Sequence, residues 1–412
     1  MMHRKWAGVI AGLAVFAMVA AACTEDTTSP TTTSATPVEK IDVTVYAQGA
    51  WTGGVNSLTL PSFQGGQIRF DELNADPTYP ATITYEPADT QGSGTGAPPI
   101  AQQAAQDPRT VAIFGPAFSG ESETTGDTYN EAGIPFITAS ATSVTLAGFG
   151  WDYWYRAVGN DDAQGRLAAQ WVAEVLQPES LYIIHDNTTY GKPLAEIVEQ
   201  AAVDAGVQIL GKSGIAEPAI DTGTTVDFAS IITDVQASGA DTVFFGGYFV
   251  DSGPFLNQAT AAGLDITLIS GDGSVSSDFV TLAGEGAAEG TLLLAPSNVD
   301  SSFVEKYNQA IGGDALGIPV YAGEGYDVAS LIGEGIKAAI DGGATTPVEI
   351  RLGIKTYLDS LVTGNEFQGV TKDYAFAQDP HELSTAADEL YYFYRVEGGV
   401  LVNLGNAVEV LG

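Results

Sequence analysis

The chain has 412 residues, and its 51 acidic residues against 15 Lys and Arg give a formal net charge of −36 at pH 7. Such an acidic surface repels phosphate backbones, which argues against nucleic-acid binding. The length suffices for two lobes with full cores, and a single cysteine excludes a disulfide within the chain.

The first 22 residues have the pattern of a secretory signal peptide. Two basic residues precede an apolar run from Trp6 to Ala22, and Cys23, the only cysteine, follows directly. A basic start, a short apolar core and small residues before the cleavage site are typical of such peptides. Residues 20–23 resemble a bacterial lipoprotein box, in which Cys23 is lipidated. An ordinary cleavage is the alternative, because Ala20 stands where the box usually has Leu.

Residues 24–37 (TEDTTSPTTTSATP) are rich in Ser, Thr and Pro and have no hydrophobic period. Tracts of this composition form linkers rather than packed elements. We therefore predict a signal peptide at 1–22, and a lipidated Cys23 with a flexible tether at 23–38. The globular body is expected to lie outside the cytoplasm, at the cell surface or in the periplasm. A lipid anchor is its only expected contact with the membrane.

From residue 38 the sequence alternates between strand-like and helix-like segments. Strands are predicted at 41–47, 81–86, 110–114, 135–138, 154–158, 180–185, 207–212, 241–245, 266–270, 291–294, 391–396 and 400–404. Helices are predicted up to 75, at 100–106, from 119, at 161–176, up to 205, and at 226–237, 252–262, 303–311, 325–339 and 348–361. Apolar strands that alternate with helices indicate an α/β fold with parallel, doubly wound sheets, and the length predicts two of them.

Two predicted helix starts carry polar residues of interest. Ser119 follows the strand at 110–114 and is predicted to be the N-cap of the next helix. The unpaired N–H groups and the dipole of such a terminus favour an anion, and a capping serine without a ligand is the alternative. Asp161 with Gln164 three residues later fits the acidic variant of a capping box.

The stretch from Ala240 to Gly273 reads as a strand–helix–strand unit. Tyr248 follows the first strand and Asp272 follows the second. Parallel strands end at the same edge of a sheet, where open α/β sheets bind ligands, so the two side chains are predicted to lie close together. A phenol and a carboxylate there favour a small cationic or zwitterionic ligand. A solvated Asp in a glycine turn is the alternative.

Sequence motifs of common catalytic and metal sites do not occur. The chain contains no G-x-S-x-G, Walker, H-E-x-x-H or C-x-x-C motif, and its three histidines are scattered. Without a nucleophile–base pair or a ligand cluster, we predict that the protein is not an enzyme and binds no metal or cofactor.

Four runs resemble the leucine/isoleucine/valine-binding protein family, the extracytoplasmic receptors of branched-chain amino-acid ABC importers. They are LYIIHDNTTYGKPLA (181–195), FFGGYF…GLDITLISGDG (244–273), EGAAEGTLL (285–293) and AIFGPAFSGESETTGDTYNEAGIPFITASAT (112–142). The resemblance implies a type I periplasmic binding fold, in which two Rossmann-like lobes are joined by a three-segment hinge and close on the ligand. The implied lobes are 39–157 with 296–367 and 158–295 with 368–412. The implied crossings lie near 157–159, 294–296 and 367–371.

The resemblance also implies a set of ligand-binding residues. Ser119 and Thr142 would hold the α-carboxylate of an amino acid, and the backbone carbonyl of Ser140 would accept from its ammonium. In the second lobe, the implied residues are Tyr190, Tyr248 and the ammonium-binding Asp272. Asp272 is one methylene shorter than the Glu that the branched-chain receptor carries. The aromatic residue of the first loop corresponds to Trp51, and Phe118 stands where the family has a disulfide cysteine.

We therefore expect a lipid-anchored substrate-binding protein that delivers an amino acid of the branched-chain type to the permease of an ABC importer. One alternative keeps the fold and binds an amide, urea or another small polar metabolite. Another is a ligand-sensing receptor ectodomain, which we expect to require a membrane span and a cytoplasmic domain.

Overall fold

The computed structural model describes residues 39–177, 180–297, 301–312 and 319–412. The predicted signal peptide, Cys23 and tether lie outside these ranges. The strands are β1 (Ile41–Gly49), β2 (Ala81–Asp89), β3 (Thr110–Phe114), β4 (Phe136–Thr138), β5 (Trp154–Arg156), β6 (Leu181–His185), β7 (Ile209–Gly214), β8 (Thr242–Gly246), β9 (Thr267–Ser270), β10 (Leu292–Ala295), β11 (Phe367–Gln368), β12 (Asp373–Tyr374), β13 (Tyr392–Glu397) and β14 (Val400–Asn406).

The helices alternate with these strands. They are α1 (Leu60–Ala75), α2 (Ala97–Gln106), α3 (Ser119–Glu131), α4 (Asp161–Trp171), α5 (Gly191–Asp204), α6 (Ala219–Thr222), α7 (Ala229–Ser238), α8 (Phe249–Ala261), α9 (Ser277–Ala283), α10 (Glu285–Ala288), α11 (Ser301–Ile311), α12 (Ala322–Asp341), α13 (Pro347–Ser360) and α14 (Ala407–Leu411). No helix in the described ranges combines the length and the apolar character that crossing a membrane requires.

The first sheet has five parallel strands in the order β2-β1-β3-β4-β5. β1 and β2 pair from Ile41 opposite Ala81 to Gly49 opposite Asp89. The five residues of β3 are all buried, as expected of a central strand that helices cover on both faces. The order reverses between β1 and β3, which creates a crevice at the carboxyl ends of these strands.

The second sheet has seven strands in the order β14-β13-β10-β9-β8-β6-β7. β7, β6, β8, β9 and β10 are parallel and repeat the strand order of the first sheet. β13 pairs antiparallel with β10, and β14 completes a hairpin with β13. The predicted two-sheet α/β fold and the terminal hairpin are therefore confirmed.

The chain passes between the two sheets three times: after β5, after β10, and between α13 and β13. The third passage comes later than the predicted crossing at 367–371. The Phe376 N–H donates to the Leu361 carbonyl at 2.8 Å, and the Arg156 N–H of β5 donates to the His381 carbonyl at 3.0 Å. Residues 374–382 therefore lie against elements of the first sheet, although they were predicted to belong to the second lobe. We place the third crossing after Glu382, and the other lobe boundaries stay a prediction.

Candidate functional site

A cavity lies between the carboxyl ends of the parallel strands of both sheets. Its empty volume is about 320 Å³. Its described lining residues are Leu58, Thr59, Ala117, Phe118, Ser119, Ser140, Thr142, Tyr190, Tyr248, Asp272, Gly273 and Tyr321. The structure thus brings six of the seven predicted ligand-binding residues to one place, including the predicted neighbours Tyr248 and Asp272.

The side of the cavity formed by the first sheet carries hydrogen-bond donors. Ser119 is the first residue of α3, so the prediction that it is the N-cap was wrong by one position, and the cap is Phe118. The Ser119 hydroxyl oxygen accepts from the Ser143 N–H at 3.3 Å, which leaves its hydrogen available to a ligand. The Thr142 hydroxyl is buried and has no hydrogen-bond partner among the described residues. These hydroxyls and the first N–H groups of α3 are suited to an anion.

The side chain of Ser140 is engaged within the protein. Its hydroxyl donates to the Ala117 carbonyl at 2.8 Å. The hydroxyl hydrogen is therefore occupied within the protein. The backbone carbonyl is the group that this residue can offer to a ligand, as the resemblance implied.

The side of the cavity formed by the second sheet carries a buried carboxylate. Asp272 begins a turn of 3-10 helix after β9 and is 6% exposed. Its Oδ1 accepts from Gln164 Nε2 at 2.8 Å and from the Tyr190 hydroxyl at 2.9 Å, and its Oδ2 accepts from the Tyr321 hydroxyl at 2.7 Å. Burial raises the pKa of Asp272, and the hydrogen bonds from these three donors oppose that rise.

Two glycines flank Asp272 because there is no room for a side chain. A Cβ atom on Gly271 would lie 2.2 Å from Gln164 Oε1 and 2.5 Å from the Tyr190 hydroxyl. A Cβ on Gly273 would lie 2.8 Å from the Gly247 carbonyl oxygen. The Gly-Asp-Gly sequence therefore lets the neighbouring elements approach the carboxylate closely.

Aromatic rings form the wall between the two polar sides. The rings of Tyr190 and Tyr248 have centroids 5.0 Å apart, and the ring of Phe118 meets that of Tyr248 edge-on at 5.5 Å. Burial raises the pKa of both tyrosines well above the usual value, so each phenol keeps its proton and can donate a hydrogen bond. The contact between Phe118 and Tyr248 also joins the two sides of the cavity.

Trp51 does not line the cavity in the part of the chain that the structure describes, so its predicted place in the site is wrong. Its ring stacks on Phe63 at 4.7 Å, and its indole N–H donates to the Ala47 carbonyl at 2.8 Å. The same loop after β1 instead brings Leu58 and Thr59 to the cavity. The indole is therefore part of the packing behind the site.

The sequence analysis did not identify Tyr321 as a site residue. Tyr321 directly precedes α12, has a left-handed backbone with φ of 66°, and is 3% exposed. Its N–H donates to the Ser297 hydroxyl at 2.9 Å, while its phenol reaches Asp272. It stands 49 residues after Asp272 in the chain, so no local pattern connects the two.

The predicted capping box at the start of α4 is also wrong. The N-cap is Asn160, whose side chain accepts from the Asp162 N–H at 3.1 Å. Gln164 directs its amide to Asp272 instead of to the helix terminus. Asp161 is the first helical residue, and its side chain is completely buried.

The chain matches the family profile described as "Periplasmic binding protein" over residues 49–400. It is 28% identical over 214 residues to an amino acid binding protein of Pseudomonas aeruginosa, and the match covers 52% of this chain and 56% of that protein. It is 31% identical over 141 residues to a leucine-specific-binding protein of Salmonella typhimurium, covering 34% and 37%. The chain spans about half the length, or less, of these curated relatives.

Solved structures share the fold at low sequence identity. A leucine binding protein of Thermotoga maritima has a TM-score of 0.74 and 19% identity, with 89% of this chain and 98% of that one covered. A branched-chain amino acid transporter substrate binding protein of Streptococcus pneumoniae, in complex with isoleucine, has a TM-score of 0.72 and 21% identity, with 89% and 100% covered. These likenesses concern the fold, whereas the profile match covers most of the sequence, and the chain therefore belongs to the periplasmic binding protein family.

Proposed function

We propose that the protein is the extracytoplasmic substrate-binding component of an ABC importer and binds a zwitterionic amino acid of the branched-chain type between its two lobes. The observation that carries this proposal is the division of the cavity. Hydroxyl and N–H donors lie on the side of Ser119 and Thr142, and the carboxylate of Asp272 lies on the other side. An amino acid presents a carboxylate and an ammonium group that match these two sides.

The energy available from such contacts is sufficient. Hydrogen bonds to charged groups contribute about 1.5–3 kcal/mol each. A few of them in a site that excludes water reach the ~8 kcal/mol that micromolar affinity requires. A ligand held by both sides favours the closed arrangement, so its differential affinity drives closure of the hinge.

The apolar lining residues of the cavity can bind the side chain of the amino acid. Leu58, Ala117 and Phe118 are apolar and buried. They offer an aliphatic side chain a dry environment, where each buried CH₂ group contributes about 0.8 kcal/mol. This supports an aliphatic amino acid over urea or a primary amide, and the names of the relatives agree with it.

Delivery to a permease and a lipid anchor at Cys23 belong to the same proposal. The Streptococcus pneumoniae protein of the same fold is described as a transporter substrate binding protein, and family membership supports a place outside the cytoplasm and a binding rather than an enzymatic role. Mass spectrometry of the mature N-terminus tests the anchor: an unmodified cysteine, or a terminus elsewhere, would contradict it.

Calorimetric titration with leucine and with two leucine analogues tests the ligand. We expect leucine, isoleucine or valine to bind with micromolar or tighter affinity. Isopentylamine lacks the carboxylate and 4-methylpentanoate lacks the ammonium. Each is expected to bind at least about 30-fold more weakly, because one buried charged side is left without its partner.

The same titration separates the alternatives. Urea and isovaleramide are the matched probes for a site of polar, uncharged ligands. Tight binding of either probe, or of an analogue without an amine, together with no response to any of the twenty amino acids, would reject the proposed zwitterion. A ligand-sensing ectodomain would bind the same probes, but it would not support import of the ligand when the permease of an ABC importer is supplied.

A further inference from the structure

A second buried carboxyl group lies beside the site, and its surroundings differ from those of Asp272. Asp161 is 0% exposed, and neither of its side-chain oxygens has a hydrogen-bond partner among the described residues. Asp272 has three donors on its two oxygens. Asp161 is the first residue of α4. Gln164, one turn later in the same helix, is one of the donors to Asp272, so both carboxyl groups lie at the start of α4.

The positive charge near Asp161 is that of Arg156, which other groups share although its Nε has no hydrogen-bond partner among the described residues. Arg156 is also completely buried, but its guanidinium donates to the carbonyls of Ala141 at 3.0 Å and Ser143 at 2.8 Å and pairs with Glu382. Burial and the charge of Asp272 raise the pKa of Asp161 by more than the Thr142 hydroxyl and the attraction of Arg156 lower it. The pKa of Asp161 therefore lies well above the usual value.

The tyrosines on the neighbouring elements are neutral. Burial raises the pKa of Tyr190, which donates to Asp272, and of Tyr391, whose hydroxyl donates to the Asn160 carbonyl at 2.8 Å. Neither phenol hydrogen is directed to Asp161. The remaining polar neighbour is Thr142, whose carbonyl accepts from the Asp161 N–H at 2.9 Å. Its hydroxyl is close enough to lower the pKa of Asp161, although the hydroxyl and the carboxyl group are not in good hydrogen-bonding geometry.

Two buried carboxyl groups whose charges act on each other do not both ionise, because desolvation and mutual repulsion favour one shared negative charge. The group with three donors is the better site for that charge. The group without donors is the better site for a proton, since a protonated carboxyl can donate.

We propose that Asp161 is a protonated carboxylic acid and positions the Thr142 hydroxyl by donating to its oxygen when the site closes on its ligand. The hydrogen of Thr142 is then directed away from Asp161 and towards the carboxylate of the amino acid. This role rests on the proposed function. The protonated state itself does not, because it follows from the protein groups alone.

Affinity measurements on three variants test the role in binding. Asp161→Asn keeps a neutral donor, so we expect the Kd for leucine to stay within about threefold of the wild type. Asp161→Ala removes the donor and is expected to weaken binding about five- to tenfold. Asp272→Asn removes the charge that pairs with the ammonium and is expected to weaken it at least 30-fold, roughly. If Asp161→Asn binds leucine as weakly as Asp272→Asn does, Asp161 is a carboxylate and the proposal is wrong.

Infrared spectroscopy of the ligand-free protein tests the protonated state. The difference spectrum between the wild type and Asp161→Asn at pH 7 should contain the carbonyl stretching band of a protonated carboxylic acid. A carboxylate band in its place would overturn the proposal, whatever the ligand is. Asp161→Asn is also expected to melt within a few degrees of the wild type, because one neutral group replaces another. Failure of this variant to fold would equally contradict a neutral Asp161.

Discussion

At the scale of single residues, the position of Asp272 depends on donors from three distant parts of the chain. Gln164 comes from α4, Tyr190 precedes α5, and Tyr321 precedes α12. A carboxylate has about four acceptor positions. Three donors leave one position, on the side of Oδ2, for the ammonium of a ligand. The donors thus hold the shorter Asp side chain in one orientation before the ligand arrives.

Removal of one donor is expected to cost stability. Tyr321→Phe deletes the hydroxyl that donates to Asp272 at 2.7 Å. We expect the free energy of unfolding to fall by about 1.5–3 kcal/mol, the usual contribution of a hydrogen bond to a charged group. Urea denaturation of the ligand-free protein measures this change.

Tyr46→Phe is the matched control for that experiment. It deletes a hydroxyl that donates to Asp107 at 3.2 Å in a partly exposed position, where the loss is expected to stay below about 1 kcal/mol. If the free energy of unfolding fell equally in the two variants, the buried hydrogen bond to Asp272 would contribute no more than the partly exposed one.

The sequence was most informative in the loops after the parallel strands. Tyr248 and Asp272 were predicted to lie together because parallel strands end at one edge of a sheet. Ser119 was predicted from its place at a helix start, whereas Thr142 was named only through the family resemblance. Trp51 was placed wrongly because several residues of irregular loop separate β1 from α1, so that the direction of each side chain was not determined by a strand. Tyr321 could not be found because its contact with Asp272 depends on how the chain packs after its second passage between the sheets, which follows β10.

At the scale of elements, the turn after β9 lets neighbouring elements pack closely against it. Gly271 and Gly273 allow the elements that carry Gln164 and Tyr190 to reach the Asp272 carboxylate.

The strand ends themselves were predicted to within a few residues. The helix starts were less accurate: the caps of α3 and α4 are Phe118 and Asn160. A cap depends on one hydrogen bond, which periodicity does not reveal.

A methyl group in this turn is expected to disturb the site. In Gly271→Ala the new Cβ would overlap Gln164 Oε1 and the Tyr190 hydroxyl, at 2.2 and 2.5 Å. The two donors would have to move away from Asp272. We expect ligand affinity to fall by at least about tenfold, with a loss of about 1–3 kcal/mol in the free energy of unfolding from overpacking.

Gly286→Ala is a suitable control for this variant. An added Cβ at Gly286 meets nothing within 4 Å, and its backbone φ is not positive. We expect unchanged affinity and a stability equal to or slightly above that of the wild type. If Gly271→Ala behaves in the same way, the turn has more space than the structure indicates.

At the scale of the whole molecule, buried acids determine how stability depends on pH. Burial raises the pKa of Asp186 and of Asp251 to about 7, and that of Glu121 to about 8. In the unfolded chain these groups titrate near pH 4. Between those values the folded chain holds protons that the unfolded chain has released, so the free energy of unfolding falls as pH rises. Self-repulsion of the acidic surface acts in the same direction.

The protein is therefore expected to be more stable at pH 5.5 than at pH 8. Asp186→Asn should reduce the difference by roughly 1–3 kcal/mol, because its Oδ1 still accepts from Thr188 while the titrating group is gone. Urea denaturation at the two pH values measures the effect, with the exposed Asp42→Asn as control. A stability that rises between pH 5.5 and 8 would contradict the assignment.

Several contacts between the two sides of the cavity are polar. The Ser143 hydroxyl donates to the Thr189 carbonyl at 2.7 Å, and the hydroxyls of Ser57 and Ser276 lie 3.2 Å apart. Contacts of this kind contribute about 0.5–1.5 kcal/mol each. Water can replace these hydrogen bonds at little cost, so we expect the ligand to determine the balance between the open and closed forms.

The repeated strand order of the two sheets has a consequence for how specificity can change. Apart from Tyr321, the lining residues follow the first, third and fourth parallel strands of each sheet, counted in chain order. Apart from the Tyr321 phenol, which donates to Asp272, each side of the cavity is formed by loops that follow the strands of only one sheet. New loops at one edge can therefore alter which head group is accepted, while the loops at the opposite edge keep their own preference.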